Sequence, residues 1–185
     1  TAPMRLESHP ASPPGPVQHI EVRARRAVDD RLNITWQLAA DLARVRIPEP
    51  MPAARADGLW RHTCFELFVA DPAGSAYREF NFSPAGAWAA YLFSGYRTGM
   101  APLPLADPPA CRWQRSPAEL RLTVELSLAD LLPGWRQASP RLALAAVIED
   151  DSGALGYWAL RHRAGPPDFH ASEGFVLDPA SSDAA

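Results

Sequence analysis

Residues Leu59 to Arg97, LWRHTCFELFVADPAGSAYREFNFSPAGAWAAYLFSGYR, read as three consecutive antiparallel strands. Successive side chains of a strand point to opposite faces, so Trp60, His62, Cys64, Glu66 and Phe68 share one face and Thr63, Phe65, Leu67 and Val69 the other. The next strand repeats the split, with Phe80 and Phe82 on one side and Tyr77, Glu79 and Asn81 on the other. Ser83-Pro84-Ala85-Gly86 has Pro in the second and Gly in the last position of a type I turn. That turn predicts Phe82 opposite Ala87, Asn81 opposite Trp88 and Phe80 opposite Ala89. An even-length loop from Asp71 to Ala76 pairs Ala70 with Tyr77 and Glu66 with Asn81. The expected result is a row of Glu66, Asn81 and Trp88 across three strands. A carboxylate, an amide and an indole on one sheet face would seat a polyhydroxylated ligand, whereas the plainer alternative is a solvated face under a covering loop.

Outward from this stretch the same period of two recurs. Ile20, Val22 and Ala24 alternate with polar neighbours, as do Leu32, Ile34, Trp36 and Leu38, and Asp29-Asp30-Arg31 joins the two runs. Leu120, Leu122, Val124 and Leu126 form a half-buried strand, and Leu142 to Ile148 and Tyr157 to Leu160 a further pair around the turn at 149–153. The segment from Ser127 to Leu132 is the one good short-helix candidate, with Ser127 as cap, Asp130 three residues on, and Pro133-Gly134 to end it. Proline-rich stretches at 10–16, 48–58 and 98–110 read as loops. Many short strands with frequent turn signals predict an all-β protein, an antiparallel jelly-roll or immunoglobulin-like β-sandwich with at most one or two short helices. Residues 1–16 are read as a Pro-rich lead-in, 17–178 as the sandwich domain and 179–185 as a disordered tail.

A chain of 185 residues needs only one domain to bury a sizeable core. Its formal net charge is −3 and its arginines are scattered, with only a short Arg23, Arg25, Arg26 cluster, so a nucleic-acid partner is not expected. No apolar run approaches the ~20 residues that span a bilayer, so no membrane partner is expected either. All 18 basic residues are arginine, which excludes lysine Schiff-base chemistry and a phosphate-binding lysine. Two cysteines, Cys64 and Cys111, are too few for a disulfide framework and are expected to stay unpaired. With no basic start and apolar stretch near residue 1, a cytoplasmic location is expected.

The residues that could carry chemistry are few. None of the five histidines has a metal-ligand spacing, so no metal is expected. His162 and His170 flank RHRAGPPDFH, a loop whose Asp168 and His170 would meet His62 at a sheet rim. No nucleophile motif is present. Glu66 and Glu79, a carboxylate pair on one face, raise a glycoside hydrolase as an alternative, but glutamates on adjacent strands more often recognise than react.

WRHTCFELFVA followed by YREFNFSPAGAWAAYLFSGYR resembles the DOMON-like domains related to carbohydrate-binding module family nine, and the later YWALRH and PPDFH segments look like their small bacterial branch. The resemblance spans roughly Val17 to Leu177. It implies a non-catalytic sandwich that binds a saccharide or, in other branches, haem; with no lysine, and with Met100 and His62 fitting no alignable ligand motif, it favours saccharide. Glu66 matches the strand glutamate of the motif, and Trp60 stands where an aromatic wall would be useful, with Trp88 or Trp158 as the second. Arg97, at a strand end, could reach the rim. The expected ligand-binding set is therefore Trp60, His62, Glu66, Glu79, Asn81, Trp88, Arg97, Trp158, His162 and His170, with no catalytic residue and no cofactor. A face docking a protein partner through Trp60 and Trp88 is the competing expectation.

Overall fold

The computed structural model describes residues 2–135 and 139–179. In chain order its strands are β1 (Met4–Arg5), β2 (Glu7–Ser8), β3 (Val17–Arg26), β4 (Arg31–Ala40), β5 (Cys64–Ala70), β6 (Tyr77–Phe82), β7 (Trp88–Phe93), β8 (Ala101–Pro102), β9 (Ala110–Arg115) and β10 (Glu119–Ser127), followed after the short helix α1 (Leu128–Leu131) by β11 (Arg141–Glu149) and β12 (Leu155–Ala159). They form two antiparallel sheets, one ordered β1-β3-β4-β10-β9 and one ordered β2-β12-β11-β5-β6-β7-β8. The all-β sandwich expected from the alternation is the fold.

The five-stranded sheet shows why the alternation was so clean. Along β4 and β10 every second residue is buried, the inner set being Leu32, Ile34, Trp36, Leu38, Leu120, Leu122, Val124 and Leu126. Their partners face water. The seven-stranded sheet supplies Phe65, Leu67, Phe80, Phe82, Leu142, Leu144 and Ala146 to the same core. Burial of each large apolar side chain favours folding by about 1.5–3 kcal/mol, so the phenylalanine face turns inward as expected.

Three features depart from the sequence reading. The lead-in contributes strands of its own: Met4 and Arg5 pair with β3, while Glu7 and Ser8 pair with β12, so the segment crosses from one sheet to the other with Leu6 buried between. Residues 110–115, which follow the Pro-rich loop at 98–110 and for which the sequence reading names no strand, form β9 and turn Cys111 and Trp113 toward the core. Ser127 stands at the N-cap of α1 but makes no capping hydrogen bond through its side chain. The expected tail lies, beyond Pro179, outside the described residues. Cys64 and Cys111 are both free thiols.

The hairpin at Ser83 corrects the register by one residue. Phe82 pairs with Trp88, Asn81 with Ala89 and Phe80 with Ala90. The predicted turn forms, with Gly86 N–H donating to the Ser83 carbonyl (3.0 Å), but Gly86 takes φ +106° and Ser83 N–H then donates to the Ala87 carbonyl (2.8 Å). A type I turn followed by a positive-φ glycine makes a three-residue loop with a bulge, and a one-residue slip moves every side chain to the other face. Trp88 therefore joins the inter-sheet core instead of lying beside Asn81. A Cβ on Gly86 would also sit 2.8 Å from the Met51 carbonyl oxygen. Gly86→Ala is expected to cost about 1–3 kcal/mol, measured by chemical denaturation, because both the positive φ and the close approach must be relieved.

Candidate functional site

The outer face of the seven-stranded sheet is not open to water. Phe68, Tyr77, Ala89, Tyr91, Phe93 and Ala143 form a second apolar cluster there, covered by Leu59 and Trp60 from one loop and by Phe169 and Phe175 from another. The polar residues of that face are buried with it: Glu66 is 2% exposed, Glu79 4% and Asn81 0%. The predicted pairing of Glu66 with Asn81 and of Ala70 with Tyr77 is present. Between the covering loops and the sheet lies a cleft of ≈ 340 Å³, with Glu66 and Glu79 among its lining, Trp60, Tyr157 and Phe169 as aromatic walls, and Arg97 and His170 as its basic side chains.

Each wall has a local cause. Trp60 is in a single 3-10 turn, Leu59–Arg61, rather than in a strand, and packs edge-on against Tyr91 at 6.1 Å between ring centroids. The Tyr91 hydroxyl donates to Asp57 Oδ1 (2.5 Å), which holds that loop to the sheet. Tyr157 projects from β12 and meets Phe169 edge-on at 5.9 Å. Arg97 follows β7 in a tight turn and adopts φ +52°, an uncommon conformation for a residue with a side chain. Its guanidinium donates to Asp168 Oδ1 (2.8 Å), and Tyr96 donates its hydroxyl proton to the other oxygen of the same carboxylate.

His170 is fixed by a short relay. Arg97 N–H donates to the Tyr77 hydroxyl oxygen (3.1 Å), and that hydroxyl is 2.7 Å from His170 Nδ1. The direction of that hydrogen bond follows the imidazole tautomer, and the other ring nitrogen, Nε2, faces Glu79 Oε2 at 3.8 Å. Burial, with Arg97 nearby, lowers His170 to about 4, so the ring is neutral at pH 7. Asp168 behaves oppositely: burial alone would raise it, but the hydrogen bonds from Tyr96 and Arg97 hold it below the usual carboxylate range.

The two glutamates are the unusual groups. Burial, and then the neighbouring Glu79, pushes Glu66 well above the ordinary carboxylate value. Burial likewise raises Glu79, to about 7, against the opposing influence of Asn81 and Arg97. In the orientation that satisfies its neighbours, the Asn81 amide donates to Glu79 Oε1 (3.1 Å) and the Phe80 carbonyl (3.2 Å). Glu66 Oε1 is buried and has no hydrogen-bond partner among the described residues. A buried oxygen left in that condition costs free energy, of order 1–3 kcal/mol, which a bound donor would recover.

Of the ten residues the sequence singled out, Trp60, Glu66, Glu79, Arg97 and His170 line the cleft, and Asn81 supports Glu79 from beneath. The other four do not. Trp88 and Trp158 are core residues, Trp88 through the register slip and Trp158 because alternation along β12 turns it inward and Tyr157 outward. His62 is exposed, its Nδ1 2.7 Å from Glu149 Oε2 in an ion-pair group with Arg46. It does not meet Asp168 and His170. His162 is 2.7 Å through Nε2 from the Glu7 carbonyl, against His9. Sequence reasoning missed Tyr157, Phe169, Phe93, Met100, Pro167 and Val147 in the lining. Tyr157 was recoverable from the alternation that buries Trp158; Phe169 and Pro167 carried no signal, since only the fold brings their loop over the sheet.

Fold and site define a two-sheet antiparallel sandwich with a cleft on one outer face. The fold is similar to that of a candidate carbohydrate-binding protein from Bacteroides uniformis, at a TM-score of 0.58 and 13% identity, over 94% of this chain and 83% of that one. At that identity the likeness is one of fold. A family nine carbohydrate-binding module from Caldicellulosiruptor kristjanssonii, solved with glucose, aligns at a TM-score of 0.47 and 10% identity over 86% of this chain and 76% of its own. No family model matches the sequence, and no curated protein matches it.

Proposed function

We propose that this protein binds a small saccharide-like ligand in the cleft under Trp60, without carrying out chemistry on it. The observation that carries the reading is the lining itself. Aromatic rings of Trp60, Tyr157 and Phe169 line one small space together with the buried carboxyls of Glu66 and Glu79 and the half-buried His170. Sugar rings pair apolar C–H faces with hydroxyl edges, and such a lining serves both. A volume of ≈ 340 Å³ is at the lower end of the ~300–1,000 Å³ of small-molecule sites, which suits a short saccharide rather than a polymer. The resemblance of the strand motif to DOMON-like domains, and the description of the Bacteroides uniformis neighbour, agree with this reading.

The carboxyl pair argues for binding over hydrolysis. A two-carboxyl glycosidase needs one group held ionised as base or nucleophile beside a protonated acid. Here burial raises both Glu66 and Glu79, and among the described residues no arginine pairs with either to hold it ionised. Trp88 is 8% exposed and packed in the core, so a protein-docking face built on Trp60 and Trp88 lacks half its anchor. Calorimetry against a panel of mono- and disaccharides should detect binding in the absence of turnover. Trp60→Ala is expected to weaken that binding about tenfold through loss of a stacking surface worth ~0.5–1.5 kcal/mol beyond the area it covers. A blank panel at millimolar sensitivity, or release of reducing sugar, would overturn the proposal. Protein reconstituted with haem is expected to show no Soret band.

A further inference from the structure

The charges around the cleft do not close. Asp168, behind the wall, is engaged by Arg97 at 2.8 Å and by Arg163 at 3.7 Å. His170 is neutral. Glu66 and Glu79 then have no cation of their own: the nearest basic atom to Glu79 is the His170 nitrogen at 3.8 Å, and Glu66 makes no ion pair among the described residues. Both guanidiniums are thus engaged by Asp168, with Glu173 also 3.9 Å from Arg163, and the charge of Glu66 and Glu79 is left unbalanced when they ionise. A neutral hydroxyl would give Glu66 Oε1 the donor it needs but would leave this imbalance. An ammonium corrects both, because it carries the charge and three donors together. The rest of the lining suits a cation as well. Trp60, Tyr157 and Phe169 present aromatic rings to the same space, and such rings attract an ammonium.

Resting on the saccharide reading above, we propose that the ligand of this cleft carries a cationic amine, as an amino sugar does, with its N–H groups on Glu66 and Glu79 beneath the rings of Trp60, Tyr157 and Phe169. The amine places a cation beside Glu66 and Glu79 and favours their ionised forms in the complex. N-acetylation of the same sugar removes the charge and two of the donors, and should remove the preference.

The experiment is calorimetric titration of the full chain at pH 7 with glucosamine, galactosamine and mannosamine, with their neutral parent and N-acetylated forms, and with methylammonium chloride. The expected result is that at least one amino sugar binds thirty-fold or more tightly than both its parent and its N-acetyl form, about 2 kcal/mol by the usual conversion. Glu79→Gln, nearly isosteric and neutral, should shrink that ratio to below about threefold while retaining weak sugar binding. Equal or better binding of the neutral sugars overturns the amine assignment and leaves the saccharide reading intact. Binding of methylammonium without any sugar supports the amine assignment and overturns the saccharide reading. No binding by any probe overturns both.

Discussion

Phe65→Ala is expected to destabilise the protein by about 3–5 kcal/mol, the range for emptying a buried aromatic site. Phe65 is fully buried, and its ring centroid is 6.1 Å from that of Trp36 and 5.7 Å from that of Trp113, both on the opposing sheet. It therefore spans the seam between the sheets, and its removal leaves a space lined by apolar rings that water would not fill. Urea unfolding should show a lower midpoint at an unchanged slope, since the surface exposed on unfolding is nearly the same. Leu92, on β7 but 38% exposed, serves as the control: Leu92→Ala is expected to stay within about 0.5 kcal/mol of the parent. Equal losses from the two substitutions would mean that the sheets do not pack through Phe65.

The second large effect is a pH-dependent one, at Glu79. Its folded pKa of about 7 stands above the ordinary 4.5, so between those values the folded state holds a proton that the unfolded chain has released. Stability from this group is full below pH 4.5, falls as pH rises, and is lost above about 7. His170, lowered from 6.5 to about 4, works in the opposite sense: its contribution is present above pH 6.5 and is lost as pH falls toward 4. The two partly cancel in the parent protein, so the informative quantity is the difference between parent and Glu79→Gln. That difference should turn in favour of the variant from pH 4.5 to 7 and then level off, by as much as about 3 kcal/mol at ~1.4 kcal/mol per pKa unit. Glu66 contributes in the same direction, because Glu79 is one cause of its own raised value. Cys64, Tyr77, Tyr91 and Arg97 also surround the pair and are common to both proteins. A flat difference curve would show that Glu79 titrates normally.

How much of this was legible follows from which faces meet water. In the five-stranded sheet one face is solvated, so the alternation of Leu32 to Leu38 and Leu120 to Leu126 is visible in the sequence, and the strands are where it places them. In the seven-stranded sheet both faces are buried. Cys64 to Val69 are all buried, and alternation there identifies the two sides without saying that either is covered. The covering depends on residues 161–175 folding back over β5 and β6, a long-range event with no local period. Glu66 and Asn81 were placed correctly because the loop between β5 and β6 has an even length. Trp88 was misplaced because one positive-φ glycine adds a residue to the next hairpin. Met4–Arg5 and Glu7–Ser8 escaped because two-residue strands among prolines carry no periodicity.

Because the seven-stranded sheet is buried on both sides, its backbone separates two side-chain populations that do not touch. Phe65, Phe80 and Phe82 belong to one, and Phe68, Tyr77 and Phe93 to the other. Changes made on opposite sides should therefore combine additively in stability. The sheet is a partition in this sense: Trp60→Ala or Phe169→Ala, on its outer side, should leave the packing of Phe65 and Phe80 between the sheets intact.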